Sequence, residues 1–99
     1  DRNGLLNRVL QTYTQSLERM LVQWRAARAA GDAAALRGLA HTLKSSSASV
    51  GALGLSALCA DVEARVRDQR LAGIEAQFDA LAAEAQRILA GLSSRAEPL

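Results

Sequence analysis

Apolar side chains recur every three or four positions along nearly the whole chain, and no proline interrupts them before Pro98. That spacing puts them on one stripe of a 3.6-residue helix; a strand would need a period of two. A first set runs Leu5, Leu6, Val9, Leu10, Tyr13, Leu17, Met20, Leu21, Trp24 and predicts a helix over about 3–30. Gly31 suits the left-handed position after its end, and Asp32 suits the N-cap of the next helix.

A second set, Leu36, Leu39, Ala40, Leu43, Ser47 and Val50, predicts a helix over 33–49. Gly51 and Gly54 then punctuate the chain. Leu55, Leu58, Cys59, Val62 and Val66 predict a third helix over 54–69. Leu71, Ile74, Phe78, Leu81, Ala85, Ile88, Leu89 and Leu92 predict a fourth over 71–92. Helices joined this closely must run antiparallel to their neighbours. The expected fold is all-α, an antiparallel up-down-up-down four-helix bundle over 1–93, with a flexible tail at 94–99.

Composition supports this reading and removes others. With 99 residues there is material for one core. Tyr13, Trp24 and Phe78 are the only aromatics, too few for a sandwich or barrel. The net charge of +2 comes from scattered arginines without a basic stripe, so no nucleic-acid partner is expected. A single cysteine excludes an internal disulfide, and no metal site is expected from one His and one Cys. No apolar run reaches the roughly 20 residues of a membrane span, so no membrane contact is expected of this domain. These features fit a cytoplasmic setting. The chain begins at Asp1 without a methionine, which fits a piece of a longer protein.

The unusual residue is His41, the only histidine, followed three positions later by Lys44, the only lysine. On a wheel of about 100° per residue with His41 at zero, Leu36, Leu39, Leu43 and Val50 fall between about 160° and 220°. His41 therefore faces away from the core. Arg37, Gly38, Lys44, Ser45 and Ala48 lie within about 60° of it. The expected picture is an imidazole clear of a flat patch, with positive charge beside it. Gly38 in mid-helix costs about 1 kcal/mol relative to alanine. Facing outward, it is better explained by close approach of another surface than by packing. Ser46 and Ser47 turn toward the buried side, which disfavours a serine nucleophile, and Cys59 falls on an apolar stripe.

The run AHTLKSSSASVGALGLSALCADVE, residues 40–63, resembles the signature of histidine-containing phosphotransfer (HPt) domains. His41, Lys44 and Gly51 fall in its register, and Ala40, Ala52, Leu55, Leu58, Cys59 and Glu63 agree with it. One departure stands out: the family has Gly directly after the Lys, and this chain has Ser45. The resemblance implies a phosphorelay intermediate. His41 would accept a phosphoryl group from a receiver-domain aspartyl phosphate and pass it to another response-regulator aspartate. It implies Nε2 as the phosphorylated atom. Lys44 would neutralise charge, Arg37 would support it electrostatically, and Gly38, Ser45 and Ala48 would meet the partner together with residues of the first helix, where Arg25 and Arg28 are available.

The partners would be receiver domains, bound transiently by a monomer. No cofactor would be held by this domain, since Mg²⁺ belongs to the receiver's acidic pocket. The parent would be a bacterial hybrid sensor histidine kinase anchored in the inner membrane, with this module as its C-terminal part. The chemistry suits the residue. A free imidazole titrates near about 6.5, so it is mostly a neutral nucleophile at cellular pH. The only GxxG, GALG, lacks the Lys-Ser/Thr of a phosphate loop, so no ATP site is expected and the domain is not an enzyme by itself. Two alternatives remain from the residues: a helical docking or dimerisation module, and an HPt-like domain that binds receivers without transfer.

Overall fold

The computed structural model describes the backbone of residues 2–96 and the side chains of 4–92. Four helices follow in order: α1 Arg2–Ala30, α2 Ala33–Ser49, α3 Leu53–Arg67 and α4 Ile74–Ala96. Each packs against two neighbours, α1 on α2 and α4, and α3 on α2 and α4, which closes a four-helix bundle.

The joints form for local reasons. Gly31 takes φ +66, and the Asp32 carboxylate accepts from the Ala35 N–H at 3.0 Å. This is the left-handed stop followed by an N-cap that the residue types predict. Gly51 takes φ +83 in the α2–α3 turn, where the Ala52 N–H donates back to the Ser47 carbonyl at 2.8 Å. Turning at that point brings α3 back along α2.

Three helix bounds differ from the sequence reading by two residues or more. The expected start of the fourth helix at 71 is replaced by Ile74, and the third ends at Arg67. Gln69 (φ +57) and Gly73 (φ +72) both adopt left-handed backbone, which neither helix can contain. Leu71 therefore sits on the loop, 49% exposed. The fourth helix also runs past 92 to Ala96. Residues 93–96 contain no breaker, and the backbone restriction comes only at Glu97, ahead of Pro98. Of the expected flexible tail, 94–96 are helical and 97–99 lie outside the described residues.

The core is Tyr13, Leu17, Leu21, Trp24 and Ala27 of α1, with Leu36, Ala40 and Leu43 of α2, Leu55, Cys59 and Val62 of α3, and Ile74, Phe78, Leu81 and Ala85 of α4. Trp24 meets Phe78 edge-on, ring centroids 5.5 Å apart. Leu5, Leu6 and Val9, on the same stripe as these core residues, are instead exposed by 63%, 53% and 46%. The reason is length. With 29 residues against 17, α1 is longer than α2 by roughly 18 Å at about 1.5 Å per residue, so its first turns run past α2, with Val9 at the margin beside Val50.

One polar pair is sealed in the core: the Tyr13 and Ser47 hydroxyls lie 2.9 Å apart. It sets the vertical register of α1 against α2. Removing one member strands the other without water. We expect Tyr13→Phe to cost about 1–2 kcal/mol in urea unfolding. The double change Tyr13→Phe/Ser47→Ala should cost less than the sum of the two single changes; strict additivity would show that the two hydroxyls do not interact.

Candidate functional site

His41 stands on the outer face of α2, its side chain 67% exposed. Its neighbour Ala40 is completely buried, so the backbone at this level is pinned to the core while the ring projects outward. Gly38, Ser45 and Ala48 are exposed around it, as the wheel predicts. A Cβ built on Gly38 would meet nothing within 4 Å. The chain's own packing thus does not require glycine there, whereas the left-handed backbone of Gly51 does.

The side chain that organises the site comes from α3. Glu63 Oε2 accepts from His41 Nδ1 at 2.5 Å, and Glu63 Oε1 accepts from Lys44 Nζ at 2.6 Å. The Glu63 side chain is only 14% exposed, and both its oxygens are committed to these two bonds. An ionised carboxylate can only accept, so the ring proton sits on Nδ1. The Nε2 lone pair is then left facing solvent. Lys44 is 34% exposed, less than the wheel implies, because Glu63 draws it toward α3. The Ser56 hydroxyl of α3 donates to the Lys44 carbonyl at 2.9 Å and ties the two backbones at the same level.

The sequence reading named Glu63 as a matching position and gave it no role. A signal was present: Ser56 and Glu63 are seven residues apart, two turns, at the edge of the apolar stripe of α3. Which residues of α2 that polar edge would meet depends on the register of the two helices.

The electrostatics follow the contacts. The hydrogen bond from Lys44 holds the Glu63 carboxyl below its ordinary value of 4.5; partial burial opposes this, and the bond from His41 adds to it. Burial pushes the Cys59 thiol up to about 12, so it is an unreactive core group. The serine hydroxyls divide clearly. Ser47 is bonded to Tyr13, Ser46 to the Leu43 carbonyl and Ser49 to the Ser45 carbonyl. The Ser45 hydroxyl makes no such bond among the described residues and lies on the exposed face.

Other sequence candidates are placed apart from this cluster. Arg28 is turned to α4, bonded to Glu75 at 2.5 Å and Asp79 at 2.7 Å and lying over the Phe78 ring. It is therefore not available on the His41 face as the sequence reading allowed. Arg37 is exposed one turn before His41 and holds no carboxylate among the described residues. Within those residues no helix is long and apolar enough to cross a membrane.

An exposed, oriented imidazole with a lysine beside it is equipped to take an electrophile on Nε2. The sequence pattern described as Hpt domain matches residues 8–91. The chain belongs to the Hpt domain family. No curated protein matches it. Among solved structures it is similar to the crystal structure of histidine-containing phosphotransfer protein B (HptB) from Pseudomonas aeruginosa PAO1. The two share 29% identity over 90% of this chain and 77% of the other, with a TM-score of 0.80. An Hpt domain is a carrier of phosphoryl groups in two-component signalling and works with receiver domains.

For this Hpt domain the Glu63 bridge has a pH signature. A carboxyl held low in the folded state contributes stability that is present above 4.5 and is lost as pH falls through its folded value. By carboxyl-carbon NMR, Glu63 should titrate below 4.5, and Lys44→Met should move its midpoint up toward that value. An unmoved midpoint would assign the depression to something other than the lysine.

Proposed function

We propose that this Hpt domain is a phosphorelay intermediate. His41 accepts a phosphoryl group from the aspartyl phosphate of one receiver domain and delivers it to the aspartate of another. The observation that carries the reading is the Glu63 bond to Nδ1, which leaves Nε2 as the free nucleophilic nitrogen on an unobstructed surface.

In the forward step the Nε2 lone pair forms a bond to phosphorus as the bond from phosphorus to the aspartyl oxygen breaks. The aspartate leaves as a carboxylate. The ring keeps its Nδ1 proton and becomes cationic, and the Glu63 carboxylate compensates that charge. Such transfers pass through a loose transition state whose charge spreads over the equatorial oxygens, so positioning and neutralisation supply the rate. Lys44, anchored beside the ring through Glu63, supplies one positive charge, and Arg37 a second from the preceding turn. Mg²⁺ would act in the receiver's acidic pocket. Gly38 and Ala48 leave room for that pocket to approach, and the Ser45 hydroxyl is free to donate to a phosphoryl oxygen. The domain would act as a monomer meeting each receiver in turn, in the cytoplasm.

Incubation with a receiver phosphorylated by acetyl phosphate tests this. Label should move to the wild type, stable in alkali and labile in acid, and should be absent from His41→Gln. Label retained by His41→Gln would assign the acceptor to another residue, and none from any receiver of a genomic panel would favour a docking or dimerisation module or a receiver-binding domain without transfer. Lys44→Ala should slow transfer by about ten- to a hundredfold with helicity unchanged. Ser45→Gly should transfer as fast as the wild type or faster; a strong loss would give the hydroxyl an active part.

A further inference from the structure

The two flanks of His41 differ in charge and in openness. On the α3 flank the ions are matched, Glu63 being closed on both His41 and Lys44. Elsewhere, Arg28, Arg65, Arg67, Arg70 and Arg87 each hold a carboxylate. Four further arginines, Arg8, Arg19, Arg25 and Arg37, hold none among the described residues, and all four lie on α1 or α2.

Register and rotation place Arg19 relative to the imidazole. Tyr13 and Ser47 are bonded across the antiparallel pair. His41 is six residues before Ser47, so it lies level with the residue six after Tyr13, which is Arg19. Arg8 lines a groove of about 450 Å³ between α1 and α2, with Val9, Thr12 and Ser16 on one side and Ser46 and Val50 on the other. Eleven residues are three helical turns with only about 20° left over, so Arg19 falls on the same line of α1, about 16 Å from Arg8 along the axis. Arg25 does not. It is rotated about 120° from Arg19, near the line of Arg28, which faces α4.

We infer that Arg19, with Arg8 further down the same line, is the electrostatic selector for the incoming receiver, and that the receiver docks across the α1–α2 seam. This rests on the phosphorelay reading. A receiver's phosphorylation pocket must be rich in carboxylates, because it holds Mg²⁺ beside its aspartate. An unpaired guanidinium level with His41 meets the rim of such a pocket as Nε2 meets its phosphorus. The exposed Val22, one turn beyond Arg19, and the apolar groove floor add a surface that a protein can bury and a solvated polyanion cannot use. Rim charges of this kind act mainly on association rate and its salt dependence.

The test uses a receiver domain that, phosphorylated by acetyl phosphate, labels His41 in the wild type. Stopped-flow association at 50 mM salt should slow by about tenfold for Arg19→Glu and by about threefold for Arg19→Gln, the difference shrinking at 500 mM salt. Transfer within the preformed complex should stay within about twofold of the wild type. Arg25→Glu should associate like the wild type. Equal rates for Arg19→Glu and the wild type, or an equal loss in Arg25→Glu, would overturn the assignment while leaving the phosphorelay reading intact. Failure of every receiver to label His41 would overturn both.

Discussion

The site depends on a single carboxylate that reaches from one helix to two side chains of another. Largely burying a carboxylate is unfavourable unless charge-assisted bonds satisfy both oxygens. Here one oxygen is taken by Lys44 and the other by His41. The same contact therefore holds the lysine, fixes the imidazole tautomer and aims the free nitrogen outward. None of these would follow from α2 alone, whose outer face would otherwise carry two independent, mobile side chains.

That contact depends in turn on how closely α2 and α3 approach. Ala40 and Leu43 pack toward Leu55, Cys59 and Val62, all essentially removed from water. The turn at Gly51 and the Ser56 bond to the Lys44 carbonyl hold the two helices in register above this core. The core thus serves the chemistry indirectly, by fixing which residue of α3 faces His41. On the opposite flank of α2 the surface is left unfilled. Gly38 has open space where a side chain would stand, although alanine there would favour the helix by about 1 kcal/mol. Stability is given up on the exposed face around His41, a pattern expected of a functional surface.

Much of this was legible beforehand. The spacing of Leu36, Leu39, Leu43 and Val50 was enough to turn His41 outward, and Gly31 with Asp32 was enough to place the first joint. Errors arose where neighbours mattered. Leu5, Leu6 and Val9 continue the stripe of α1 without a helix to receive them, because a periodic pattern does not state how long its partner is. Leu71 keeps the spacing of α4 but falls before the left-handed Gly73, and the pattern continues smoothly through a backbone reversal. Arg28 looked as available as Arg25 until α4 presented Glu75 and Asp79 to it.

By itself, then, the order of residues determined the helices, their antiparallel return and the outward direction of the lone histidine, because these follow from periodicities within one segment. The tertiary structure alone decided that Glu63 would join Lys44 to Nδ1, that Lys44 would be largely covered, and that Arg8, Arg19, Arg25 and Arg37 would hold no carboxylate among the described residues. Those are relations between segments, set by the register in which separate helices pack, and no spacing along the chain encodes that register.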